Sequence, residues 1–267
     1  MSDLDRIFNF QDNEIHIWMA FSEELADCGL LSCYWDMLSV QERSQFQRFY
    51  FARDSHQYLI SRALLRSILS GYTGVLPQYL EFPRNDYGRP ELKASSERIS
   101  CLNFNLSHTN GLVLCAVAPV TDIGADVECN SRKTNYSGIF SRFFSQQEQN
   151  DLQQMQEDKR RYRFFEYWTL KESYIKALGK GLSIPLNRFG FSISEGPAKQ
   201  IFFHTQVGDD DKQWQFFLFN PSEQYTAAIS VSRETSQEYR LNIRKIIPLH
   251  SMYTCSNPYI SSGSMQV

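Results

Sequence analysis

A chain of 267 residues that is 42% hydrophobic can bury one large core or two smaller ones, which excludes a disordered or fibrous protein. A formal net charge of −3 supplies no basic field of the kind nucleic-acid binders carry, so nucleic acid is not expected as a partner. The N-terminus has charges but no apolar signal region, no run of eighteen apolar residues occurs, and the six cysteines form no C-x-x-C pair; the expectation is a cytoplasmic protein with reduced thiols and no membrane partner.

The first predicted element is a strand over Glu14–Phe21, with Ile15, Ile17, Met19 and Phe21 on one face, followed by polar Ser22-Glu23-Glu24 opening a helical region. Asp54 is placed to cap a helix whose apolar positions Tyr58, Ile60, Leu64, Leu65, Ile68 and Leu69 run to a stop at Gly71. Arg62 and Arg66, one turn apart on it, read as a solvated face. Between Glu81 and Pro90 lies a tight turn built on Asn85, Asp86 and Gly88; the flanking Arg84 and Arg89 are either ordinary loop arginines or a grip for a phosphate-bearing nucleotide.

Leu102–Ser107, Gly111–Ala118 and Ile123–Cys129 read as consecutive antiparallel strands, which would set His108 beside Asp126 and Glu128 in one small sheet. Asp126 and Glu128 leave the same face, because the side-chain period of a strand is two. Two like charges there call for a bound hard cation or for open water, and an exposed edge strand satisfies the second. Ser145-Gln-Gln-Glu148 is a capping box, which by itself accounts for Glu148. A long helix is predicted near Tyr162–Leu178, with Phe164, Trp168, Ile175 and Leu178 as its apolar stripe, Glu172 at the edge of that stripe and Lys176 as its i,i+4 partner.

Five strands are then expected, at Phe189–Ser194, Gln200–Thr205, Gln213–Phe219, Tyr225–Val231 and Tyr239–Ile246, with Asp209–Asp211 as a hairpin turn and a loose tail over 248–267. Ile60–Leu69 faintly echoes Thr169–Leu178, so the fold class is α+β in two similar halves, 1–118 and 119–247.

Taken in order, Asn105-Leu-Ser-His108, Gly124-Ala-Asp-Val-Glu128, Phe144-Ser-x-x-Glu148, Trp168-Thr-Leu-Lys-Glu-Ser-Tyr-Ile-Lys176 and Gly179-Lys-Gly-Leu182 resemble the 4′-phosphopantetheinyl transferases of the larger, surfactin-synthetase-activating type. Phe51-Ala-Arg-Asp54 and Tyr87-Gly-Arg-Pro90 extend the likeness. The resemblance implies two halves related by a pseudo-twofold with coenzyme A in the cleft between them. It implies a monomer that moves the phosphopantetheine arm onto a serine of an apo acyl or peptidyl carrier protein. Asp126, Glu128 and Glu172 would hold Mg²⁺, with Mn²⁺ as a substitute. Asp126 is thereby also a coenzyme contact, Glu172 is the proton acceptor with Glu148 its rival, and Lys176 and Lys171 meet the phosphates. Ser107 and His108 match the phosphate-contacting pair, and Arg84 and Arg89 the nucleotide loop. Carriers are acidic, which points to a docking rim near 112–118 and 140–165. The family's lysines just before Arg48 are here Glu42 and Gln45, leaving the 3′-phosphate partner unassigned. A metal-dependent phosphohydrolase and a non-catalytic carrier-binding module are the alternatives.

Overall fold

Alternation does produce a strand at β1 (Glu14–Phe21), but it is buried on both faces, because it becomes the centre of a sheet. The computed structural model describes residues 7–25, 28–93, 101–132, 136–181, 184–195, 199–205, 213–233 and 238–262, so the predicted turn at Asp209–Asp211 lies outside the described residues. The chain divides into two compact units, 1–119 with 239–256, and 120–238 with 257–267.

In the first unit, β1 pairs antiparallel with β3 (Leu112–Ala118), which pairs antiparallel with β2 (Asn103–Thr109). On its other side β1 takes β9 (Arg240–Ile247) in parallel, Glu14 opposite Arg240, and β10 (Ser251–Thr254) closes that edge. The expected boundary at 247 is thus corrected: the segment that pairs with β1 belongs to the first unit, and 248–262 is no loose tail, since it holds β10 and the later β11 (Tyr259–Ser261). β3 is buried along its whole length, so it cannot form the docking rim expected near 112–118.

Three helices complete this unit among the described residues: α1 (Cys28–Met37), α2 (Val40–Phe46) and α3 (Ala52–Thr73). Asp54 lies in the first turn of α3, not at its cap, where its charge favours the helix N-terminus. Gly71 does not stop the helix; it is a contact residue, since a Cβ there would meet the ring of Phe8 at 2.5 Å. The stop is Gly74, at φ 70°, a left-handed conformation that side chains other than glycine's resist.

The second unit repeats the plan. Its sheet runs β11, β7 (Gln213–Phe219), β8 (Tyr225–Arg233) and β4 (Ile123–Cys129), all antiparallel. A 22-residue helix packs on it, α6 (Glu157–Leu178), preceded by α4 (Tyr136–Phe143) and α5 (Gln146–Gln154). Like the 22-residue α3, it ends on a left-handed glycine, Gly179. It starts earlier than predicted because Glu157 and Asp158 complement its N-terminus. A separate hairpin joins β5 (Phe189–Ile193) to β6 (Ile201–Thr205). An aromatic core made of Phe144, Phe164, Tyr174, Phe189, Phe191 and Phe216 fills the space under α6. The expectation that β4 follows β3 in one sheet is overturned: β4 pairs with β8, so His108 and the two carboxylates of β4 stand in different sheets.

The first unit's core carries a polar chain that hydropathy gives no hint of. Trp18 Nε1–H donates to the Tyr72 hydroxyl at 3.0 Å, and that hydroxyl lies 2.5 Å from His16 Nδ1. His16 Nε2 faces Glu14 Oε2 at 3.3 Å. Burial, reinforced by the charge of Arg244, pushes the imidazole down from 6.5 to about 4. The unfolded chain binds this proton near 6.5 and the folded chain only near 4, so stability is lost as the pH falls through that window. Glu14 acts in the same direction: although burial opposes it, bonds from the Gln11 amide and His16 hold its carboxyl below the ordinary value. Going from pH 7 to pH 5 is expected to cost about 2 kcal/mol through His16 alone, read as a lower urea midpoint, and a midpoint that does not move between these pH values would refute it.

Candidate active site

Gly124, Asp126 and Glu128 alternate along β4 and therefore share one face. That face is the one α6 covers, because a Cβ added at Gly124 would be driven into the carbonyl oxygen of Ser173 and the backbone nitrogen of Ala177. The glycine lets a helix backbone lie directly on a strand, and the carboxylates further along the strand then meet the side chains that α6 presents. Ser173 Oγ fixes the same contact to β8 through Ser230 Oγ at 2.7 Å.

Asp126 is buried, and the ammonium of Lys176 stands 2.6 Å from its Oδ1. Lys176 still acts on Glu172, the partner predicted within the helix, and adds this closer contact from helix to strand. Glu128 is held by Arg132 at 3.4 Å and by the Trp168 indole, two partners that the sequence pattern did not single out. Burial first, and then the charge of Asp126, raises the Glu128 carboxyl above its ordinary value. The same causes act on Glu172, which burial, Asp126 and Glu128 push up to about 7 against the opposing pull of Lys176.

Among the described residues no group of three or more His, Cys, Asp and Glu stands in an arrangement ready to enclose a metal. The donor chemistry nonetheless fits a hard divalent cation: three carboxylates, all oxygen, of which Asp126 raises the proton affinity of the other two and Glu128 that of Glu172, and an ammonium already sitting on Asp126. A cation relieves the repulsion that now favours a proton on Glu172.

Two predicted site residues are corrected by the structure. Glu148 and Lys171 are fully buried and paired with each other at 2.9 Å, so neither reaches solvent to accept a substrate proton or to meet a phosphate. The capping box foreseen at Ser145 and Glu148 is present, and Glu148 does more than cap, since its Oε1 also accepts the Phe191 amide at 3.0 Å.

The remaining predicted contacts lie in the first unit. Arg84 is exposed and donates to the Gly88 carbonyl at 2.7 Å, which braces the turn, while Asn85 Oδ1 accepts the amides of Tyr87 and Arg89. Ser107 is buried and His108 exposed; as neighbours on β2 they leave opposite faces of the sheet. Arg84 also lines a cavity of about 1130 Å³ with Glu42, Arg48, Tyr58, Arg62 and Lys93. Arg62 and Arg66 are not the solvated face that their spacing suggests. Arg66 is 2% exposed and binds Glu42 at 2.7 Å, the Pro77 carbonyl at 2.6 Å and the Leu80 carbonyl at 3.1 Å. Glu42 is thereby the internal counter-ion of α3.

Comparison with known proteins covers both units. Residues 27–120 match the N-terminal family described as 4'-phosphopantetheinyl transferase, N-terminal, and residues 122–230 match the 4'-phosphopantetheinyl transferase superfamily. A 4'-phosphopantetheinyl transferase of Bacillus subtilis is 35% identical over 192 residues, 72% of this chain and 81% of that one. The 4'-phosphopantetheinyl transferase HetI of Nostoc sp. is 34% identical over 64% of this chain and 71% of its own length. An L-aminoadipate-semialdehyde dehydrogenase-phosphopantetheinyl transferase of Xenopus laevis is 28% identical over 72% of this chain and 67% of its own. A helix seated by a glycine against a strand of carboxylates, in a chain whose two units match in turn, identifies this protein as a member of the 4'-phosphopantetheinyl transferase superfamily.

Proposed function

We propose that the enzyme transfers the 4′-phosphopantetheine arm of coenzyme A to a serine hydroxyl of an apo acyl or peptidyl carrier protein, with Asp126, Glu128 and Glu172 as the seat of Mg²⁺ or Mn²⁺. The observation that carries the residue assignment is the buried carboxylate group itself, in which Glu172 is raised to about 7 by burial and by its two acidic neighbours. The serine oxygen attacks the β-phosphorus of coenzyme A, the bond from that phosphorus to the bridging oxygen breaks, and adenosine 3′,5′-bisphosphate leaves with the electron pair. Neutralisation of the diphosphate charge is what a bound divalent cation supplies.

The chain's own groups do the rest. Glu172 takes the proton of the serine, directly or through a water. Lys176, 30% exposed and on Asp126, would pair with a phosphate oxygen of the coenzyme. Ser107, His108, Arg84 and Arg89 are assigned to the phosphates and the nucleotide on the strength of the resemblance. Cys33, Cys115 and Cys255 are free thiols, which supports a reducing, cytoplasmic setting, and we assign a monomer acting on coenzyme A and its carrier without nucleic acid or membrane.

The deciding test is intact-mass analysis of several apo carriers after incubation with purified protein, coenzyme A and Mg²⁺. A carrier heavier by one phosphopantetheine is expected. No gain on any carrier, from folded protein that binds coenzyme A, would overturn the reading, and release of the nucleotide without any acceptor would mark a phosphohydrolase instead.

A further inference from the structure

Glu148 and Lys171 are charged groups of the second unit that transfer leaves without a task, and both are fully buried and paired. Lys171 Nζ has three N–H donors and uses all of them: Glu148 Oε2 at 2.9 Å, the Leu186 carbonyl at 2.9 Å and the Phe189 carbonyl at 2.5 Å. The ammonium also lies 4.5 Å from the centre of the Phe189 ring. Glu148 accepts the Ser145 amide at 2.7 Å and the Phe191 amide at 3.0 Å besides the lysine. Gly190 makes this possible, because β5 presses on the capping box so closely that a Cβ there would lie 3.0 Å from Ser145 Cβ and 3.2 Å from the Glu148 carboxyl carbon. One buried pair therefore joins the start of α5, one edge of β5 with the turn before it, and the middle of α6.

A buried ion pair adds little stability over an apolar pair of the same volume, so stability is a poor account of it. Direction is a better one. Successive residues of an α-helix are turned by about 100°, which puts Lys171 on one flank of Glu172 and Ser173 on the other. Lys171 is pinned to β5 and α5, while Ser173 is pinned to Ser230 of β8 and rests on Gly124 of β4. With both flanks held, α6 cannot roll about its axis, and Glu172 and Lys176, one turn apart between the pins, are aimed at Asp126.

We propose that the Glu148–Lys171 pair is a positioning clasp for Glu172 and Lys176, setting the rotation of α6 without touching substrate. The proposal rests on the transfer reading for what Glu172 does, and the experiment separates the two. Glu148→Leu combined with Lys171→Met replaces the pair by apolar groups of similar size. The double variant is expected to keep an unfolding midpoint close to that of the unaltered enzyme and a KM for coenzyme A within about twofold, while kcat falls about tenfold or more. Its affinity for Mn²⁺ by titration calorimetry should weaken in parallel, a readout independent of turnover. A folded double variant with unaltered kcat and unaltered Mn²⁺ affinity would overturn the clasp. Should that variant fail to fold, Gly190→Ala loads the same clasp from outside without removing a charge; a folded Gly190→Ala enzyme with unaltered kcat and Mn²⁺ affinity overturns it equally. If the unaltered protein transfers to no carrier, the transfer reading fails, and the Mn²⁺ titrations of the variants still decide for or against the clasp.

Discussion

Asp126→Asn is expected to lower kcat/KM for carrier modification by about 10³-fold, or about 4 kcal/mol of transition-state stabilisation, with the fold retained. The aspartate is buried, shares a face of β4 with Glu128, and is the group on which Lys176 rests at 2.6 Å. The amide keeps the shape but loses the charge that a divalent cation requires, and it leaves Lys176 tied to a neutral oxygen. Because Lys176 is partly exposed, the altered pair can be solvated, so the unfolding midpoint should move little. Carrier modification followed by mass, with Mn²⁺ affinity measured alongside, checks both halves of this expectation. Retained transfer would remove Asp126 from the metal site, whereas loss of transfer together with unfolding would leave the aspartate as a structural residue.

Gly124→Ala carries the largest structural penalty expected in the second unit. The added methyl group would overlap the Ser173 carbonyl and the Ala177 backbone, and neither can rotate out of the way as a side-chain tip can. The helix must lift from the strand, which costs about 3 kcal/mol or more in an otherwise close-packed core. The lift also carries Glu172 and Lys176 away from Asp126 and breaks the bond between Ser173 and Ser230, so transfer should fall by more than the loss of folded protein explains. Denaturant unfolding and specific activity per folded molecule separate the two effects. An alanine variant as stable and as active as the parent would show that α6 has freedom to move where the structure leaves none.

Much of the second unit was legible from side-chain periodicity. The strands β5 to β8 fall within a residue or two of their predicted places, since each is a short apolar run bounded by turn-forming residues. The alternation Gly124, Asp126, Glu128 placed two carboxylates on one face, and the structure adds that the glycine belongs to the same face for a reason of its own. What could not be read were partners distant in sequence. Nothing in the spacing of Arg62 and Arg66 reveals that Glu42 neutralises them, and a capping box that explains Glu148 locally hides the lysine 23 positions later that explains it fully. The pairing of β9 with β1 was beyond reach for the same reason. Local pattern says that a segment is a strand, and only the completed sheet says which strand it joins.

That last pairing bears on how the protein is made. Since Glu14 lies opposite Arg240, β1 lacks one of its two neighbours until β9, which follows the whole span 120–238, has left the ribosome. The second unit can close before that moment, because apart from the three residues of β11 its elements lie between 120 and 238. The unit begun before the other is therefore completed after it, and in the interval the open edge of β1 is an unpaired template that a nascent-chain chaperone, or another copy, can reach.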